Sequence, residues 1–274
     1  MPYLKANEIN IYYEIHGDGE PLLLLMGLGG GSSMWWQQVA AFSHSYTVVV
    51  IDNRGVGRTD KPDTAYTMDM LVLDALGVLN GLGMASVNVY GLSMGGMIAQ
   101  ELALSHPNSV SSMILGATSC GGIHSIAPQR ETVRELLNVL NLPPKEVARV
   151  SAALTFSNSF IENHPDLVRE WIMKGAVSPP SPQGFKRQAE AIASFDSYDR
   201  LTQINVPTLV LAGTGDRILP VENSRILASR IPNAELVLFE GAGHGYLWEA
   251  ADEANQVVLD FLRRHRREPS TALR

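Results

Sequence analysis

Short runs of unbroken apolar residues alternate along this chain with longer stretches in which apolar positions recur every three or four residues. Leu22 to Met26 and Thr47 to Ile51 belong to the first kind and have the length and continuity of strands buried on both faces. Ile11 to Ile15 reads as an earlier strand, with Asn7-Glu8 as a turn before it. Helices are predicted over Ser33 to Phe42 and Thr67 to Leu79. Val87-Asn88-Val89-Tyr90 is a strand that feeds a helix over Met97 to Leu104, stopped by Pro107, and Met113 to Leu115 is the next strand. This alternation implies an α/β fold, a mostly parallel central sheet with helices on both faces.

After Cys120-Gly121-Gly122 the pattern changes, and no strand signal appears from Ile123 to Arg200. Val133, Leu136, Leu137 and Leu140 recur at helical spacing, as do Val147, Val150 and Leu154, then Leu167, Trp171 and Ile172, then Phe185, Ala189 and Ile192. Pro143-Pro144 and Pro179-Pro180 punctuate them. The expectation is an inserted helical cap over residues 121–200, of about four helices, on a core formed by residues 1–120 and 201–274. The alternative is that these helices belong to the outer layer of the sheet. Alternation resumes with a strand at Thr208 to Ala212, a helix at Val221 to Arg230, a strand at Leu236 to Phe239 and a final helix at Ala250 to Arg264.

Composition narrows the classes. Apolar residues make up 45% of 274, enough for a substantial core. A net charge of −7 argues against nucleic acid as a partner. The single cysteine, Cys120, excludes an intrachain disulfide and reads as a small apolar residue. No apolar run is long enough to span a bilayer. The start, Met1-Pro2-Tyr3-Leu4-Lys5, has no signal-like pattern, so the expected location is the cytoplasm. The basic end, Arg263 to Arg267, suits a helix C-terminus. The expected partner is a small molecule, without nucleic acid or membrane.

Candidate chemistry centres on Gly91-Leu92-Ser93-Met94-Gly95-Gly96, at a strand-to-helix turn. A serine presented between glycines at such a turn is a candidate nucleophile. It needs a base, normally histidine. His244, in Gly241-Ala242-Gly243-His244-Gly245 directly after a strand, is the choice among seven histidines. His16, His44, His106 and His265 lie near turns, a helix end or the tail, and His124 and His164 in the expected cap. Asp216, after Gly213-Thr214-Gly215, would fix the imidazole tautomer, and the chain order Ser93, Asp216, His244 is the one expected of this fold. The oxyanion donors are expected to be the backbone N–H groups of Met94 and of Leu28, in Met26-Gly27-Leu28-Gly29-Gly30. No metal or cofactor is required by this chemistry.

These stretches, together with Asp52-Asn53-Arg54-Gly55-Val56-Gly57-Arg58-Thr59-Asp60, carry a family resemblance. The chain resembles the α/β-hydrolases over nearly its whole length, and within them the capped serine esterases and enol-lactonases similar to 3-oxoadipate enol-lactonase. One departure is Met26, where many relatives have histidine before the oxyanion-loop glycine; how this loop is braced is then an open question. Arg54 is expected to tie loops together. Serine at position 93 counts against the dehalogenases and epoxide hydrolases of the fold, which use aspartate.

The resulting expectation is a serine hydrolase that cleaves carboxylic esters or lactones through an acyl-enzyme. The alternatives are an enol-lactonase of an aromatic-degradation pathway or, outside that class, a hydrolase-fold ligand receptor, a perhydrolase or a carbon–carbon hydrolase. Substrate contacts are expected from Phe156, Phe160, Trp171, Ile172, Phe185 and Ile192 in the cap, and from Trp35, Trp36, Tyr246 and Trp248 near the core loops. For each of these, packing of cap on core is the competing role. A carboxylate-bearing lactone would call for an inward cation, for which Arg130, Arg134, Lys186 and Arg187 are the candidates.

Overall fold

A computed structural model of the chain describes residues 2–139 and 142–266. Leu140 of the expected cap and Arg267 of the basic end lie outside them. The sheet has eight strands: β1 (Tyr3–Ala6), β2 (Ile9–His16), β3 (Glu20–Leu25), β4 (Tyr46–Ile51), β5 (Val87–Leu92), β6 (Val110–Gly116), β7 (Thr208–Gly213) and β8 (Glu235–Phe239). Their order across the sheet is β1-β2-β4-β3-β5-β6-β7-β8. β2 runs antiparallel to β1 and β4, and the pairs from β4 through β8 are parallel.

The unbroken apolar runs form the middle of this sheet because it is covered on both faces. Leu22, Leu23, Leu24 and Leu25 are all fully buried, with alternate residues facing opposite layers. One layer contains α2 (Met68–Gly81), α3 (Met94–Ser105) and, after β7, α9 (Glu222–Arg230). The other contains α1 (Trp36–Phe42), entered through a 3-10 turn at Ser32–Trp35, and, after β8, α10 (Tyr246–Glu249) and α11 (Ala251–Arg264). Thr67 caps α2 by accepting from the Met70 N–H, so the helix starts one residue after the threonine.

Among the described residues, five α-helices lie between β6 and β7: α4 (Arg130–Val139), α5 (Pro144–Thr155), α6 (Asn158–Asn163), α7 (Pro165–Val177) and α8 (Pro182–Ala193). Proline at the first turn of α7 and of α8, and Ser157 and Ser181 capping α6 and α8, set their starts. These helices meet the loops that leave the carboxyl ends of the parallel strands. Gly57 N–H donates to the Pro179 carbonyl after β4, and Gly245 N–H donates to the Thr155 carbonyl after β8. No helix among the described residues is long and apolar enough to cross a membrane.

Candidate active site

Ser93 sits at the junction of β5 and α3 with φ 55° and ψ −118°, a conformation that a non-glycine residue adopts only under constraint. Its neighbours supply that constraint. A β-carbon at Gly91 would lie 2.2 Å from the Gly95 carbonyl oxygen, and one at Gly95 would lie 1.9 Å from that of Leu25. Only glycine permits so sharp a turn. The backbone is held from the next strand: Ser93 N–H donates to the Gly116 carbonyl at 2.8 Å, and Thr118 Oγ1 donates to the Ser93 carbonyl at 2.7 Å. Ser93 itself remains half-buried.

Asp216 and His244 leave the same edge of the sheet, after β7 and β8. His244 Nδ1 donates to Asp216 Oδ2 at 2.8 Å, and both residues are buried. The other carboxylate oxygen, Oδ1, accepts from the N–H groups of Ile218 and Leu219 at 2.8 and 2.9 Å. The carboxylate is therefore locked by three donors, and its imidazole partner carries the Nδ1 proton, leaving Nε2 as the basic nitrogen. Elsewhere, His16 pairs with Glu14 and His265 lies beside Glu235.

Met94 opens α3, where the first amides have no intrahelical acceptor. The loop after β3 comes over Ser93: a β-carbon at Gly27 would lie 3.0 Å from Ser93 Cβ. Leu28 is half-buried in that loop. The structure answers how it is braced without the histidine. Asn53 Nδ2 donates to the Met26 carbonyl at 3.0 Å, Gly30 N–H donates to the Gly27 carbonyl at 3.1 Å, and Gly29 N–H donates to Gln188 Oε1 at 2.9 Å. Asn53 lay inside a stretch the sequence singled out; Gln188, on α8, did not. Arg54 is buried and forks onto Asp74 of α2, Nε to Oδ2 at 2.5 Å and Nη2 to Oδ1 at 2.6 Å.

The aromatic candidates divide into two groups. Phe156, Phe160 and Trp171 cluster with Trp248, with ring centroids 5.1 to 6.1 Å apart, beside the His244 loop. Phe185 packs on the other side, its ring within 2.8 Å of where a Gly29 β-carbon would stand. Phe156 and Phe160 are themselves buried, and Trp35 and Tyr246 lie deeper in the same buried cluster. The latter two are 0% exposed; Trp35 packs on Tyr90 and Tyr246 stacks on Phe239. Their sequence position near loops suggested substrate contact, but the loops fold these rings inward beneath the site. Among the candidate cations, Arg130, Arg134 and Lys186 are exposed, and Arg187 pairs with Asp63 and Glu190. Cys120 is buried and free, and burial pushes its thiol up.

Residues 20–251 match the alpha/beta hydrolase fold family. The chain is 30% identical to 3-oxoadipate enol-lactonase 2 of Acinetobacter baylyi, over 95% of this chain and 96% of the relative. It is 28% identical to a provisionally named carbamate hydrolase of Azorhizobium caulinodans, over 95% and 98%. The solved enol-lactonase of Burkholderia xenovorans LB400 superposes with a TM-score of 0.85 at 29% identity, covering 96% of this chain and 100% of that one. The chain belongs to the alpha/beta hydrolase fold family and is a hydrolase.

Proposed function

We propose that this alpha/beta hydrolase is a serine hydrolase that cleaves carboxylic esters or lactones through an acyl-enzyme on Ser93. The observation that carries the reading is the Asp216 carboxylate, gripped by two backbone amides and aimed at His244 Nδ1. That arrangement supports the tautomer with its proton on Nδ1 and with Nε2 as acceptor. His244 takes the Ser93 hydroxyl proton as Oγ attacks the carbonyl carbon. The tetrahedral oxyanion is met by the N–H groups of Leu28 and Met94, the latter at a helix start where the dipole favours negative charge. His244 then protonates the leaving alcohol, the C–O bond breaks, and water activated by the same nitrogen releases the acid.

We read α4–α8 as the cap and the cluster around Phe156 and Phe185 as the walls that receive the acyl and alcohol groups. The apolar rings support small to medium neutral substrates. Exposure of Arg130, Arg134 and Lys186, and pairing of Arg187, favour these over a carboxylate-bearing enol-lactone. The test is a p-nitrophenyl ester series, acetyl to decanoyl, turned over by the wild type and by Ser93→Ala. The expected result is turnover with a chain-length optimum, reduced about a thousandfold or more in the variant. Ester turnover that survives in Ser93→Ala would overturn the reading.

A further inference from the structure

Gln188 lies on α8, is 0% exposed, and uses both ends of its side-chain amide on backbone groups of the core. Oε1 accepts from the Gly29 N–H at 2.9 Å, and Nε2 donates to the Arg54 carbonyl at 2.8 Å. The amide has one possible orientation. Gly29 N–H can only donate and the Arg54 carbonyl can only accept, so a flipped amide would face donor with donor and acceptor with acceptor.

These bonds act on consecutive peptide planes. The Met26 carbonyl is held by Asn53 and the Gly27 carbonyl by Gly30 N–H. The Gly27 carbonyl shares its plane with the Leu28 N–H, which points to the opposite side. The following plane ends at the Gly29 N–H, and Gln188 holds it. Leu28 is therefore bounded by two fixed planes, the one that carries its N–H held within the loop by Gly30 and the one that follows it held by Gln188 of α8. With Gln188 removed, the Gly29 amide loses its partner and the second plane is free to turn.

We infer that Gln188 is a positioning residue for oxyanion stabilisation, through which α8 sets the Leu28 donor. This rests on the serine-hydrolase reading above. Gln188 acts through the Leu28–Gly29 peptide and does not itself meet the substrate. A donor held in place before the reaction lowers the transition state, whereas one that must be ordered during it does so less. The loss therefore falls on kcat and leaves ground-state binding alone.

The test compares wild type, Gln188→Met and Gln188→Glu. Active sites are counted by fluorophosphonate labelling, with Ser93→Ala as the blank. Four quantities are then measured: kcat, KM, Ki for an alkyl trifluoromethyl ketone, and Ki for the product carboxylic acid. The ketone forms a tetrahedral oxyanion on serine and the acid does not. Gln188→Met is expected to lower kcat per active site and weaken the ketone by about ten- to a hundredfold, with KM and product Ki within about twofold. Gln188→Glu keeps an acceptor for the Gly29 N–H but offers the Arg54 carbonyl a donor only when its carboxyl is protonated, so it recovers part of the loss, and more of it, relative to wild type at the same pH, as pH falls. Should Gln188→Met not fold, Gln188→Asn, too short to reach both partners, is read in the same way. Wild-type kcat in the labelled variants, or equal changes in all four quantities, would overturn this inference alone. A wild type that the fluorophosphonate does not label at Ser93 would overturn the serine reading and this inference with it.

Discussion

The hydroxyls of Tyr90 and Tyr246 meet at 2.7 Å in the fully buried core, three residues before Ser93 on β5 and two residues after His244 at the start of α10. The pair ties the strand that carries the serine to the segment that carries the histidine. Burial pushes both hydroxyls well above the ordinary tyrosine value. The folded state thus favours the neutral form. That stability is fully present below the ordinary tyrosine pKa of 10.0 and is lost as pH rises beyond it towards the folded values. In an alkaline titration followed by tyrosinate absorbance, these two of the eight tyrosines should ionise only as the protein unfolds. Tyr90→Phe or Tyr246→Phe leaves one buried hydroxyl unpaired and should cost about 1–3 kcal/mol in urea unfolding. The double variant should cost less than the sum of the singles; strict additivity would show that the bond contributes nothing.

Asp216→Asn removes the fixed acceptor for His244 Nδ1 while keeping the shape of the side chain. An amide nitrogen facing Nδ1 would drive the proton to Nε2, the nitrogen that the proposed mechanism uses as base. Turnover should drop by about 10⁴-fold, with KM nearly unchanged and the fold intact by circular dichroism. A loss of less than tenfold would argue that Asp216 merely braces its loop.

How far the chain could be read in advance depended on whether the controlling physics was local. The β5–α3 turn was legible because the steric demand of Ser93 falls on Gly91 and Gly95, a few residues away. β1 was not legible. It is a short edge strand with a charged Lys5, and although the turn at Asn7-Glu8 that leads out of it was read, nothing before that turn has the apolar run of a strand. The start of β6 was hidden by Ser111 and Ser112, yet Ser112 is buried because its hydroxyl donates to Asn88 on β5. α6, six residues long, is too short to show a helical period. Gln188 gave no signal because its partners lie 159 and 134 positions away. Trp35 and Tyr246 were misjudged for the same reason: an aromatic residue beside a loop lines a pocket or fills the core according to contacts that only the tertiary structure supplies.

The Arg54–Asp74 pair provides a separate stability test. Both side chains are nearly inaccessible, at 5% and 3% exposure, and the guanidinium forks onto both carboxylate oxygens. Asp74→Ala would strand a buried cation beneath the Asp52–Gly57 loop. The expected cost is about 3–5 kcal/mol, read as a lower urea midpoint at unchanged slope. A cost under about 1 kcal/mol would mean that the site admits water freely. Kinetic constants per folded molecule should change less than those of the Gln188 variants.

Glu249, the last residue of α10, joins the histidine loop to the junction of α5 and α6. Its Oε1 accepts from the N–H groups of Gly243 and Ser157 at 2.8 and 2.9 Å, and its Oε2 accepts from Ser157 Oγ at 2.6 Å. The neighbouring Gly245 N–H donates to the Thr155 carbonyl at 2.8 Å. The residues on both sides of His244 are thus anchored to the α5–α6 junction, where Phe156 stands. Glu249→Ala frees the Gly243 side of the loop and leaves two amides without their acceptor. A displacement of the imidazole by even a fraction of an ångström weakens proton transfer, so kcat should fall about ten- to a hundredfold, with a lower melting temperature. Glu249→Gln should be far milder. Its amide oxygen can keep both N–H bonds, and its NH₂ can donate to Ser157 Oγ, which already accepts from the Phe160 N–H and would accept a second bond in place of donating one. The measurement is kcat and melting temperature for the two variants side by side. If glutamine proved as damaging as alanine, the negative charge, and not the hydrogen-bond scaffold, would be what the histidine loop requires.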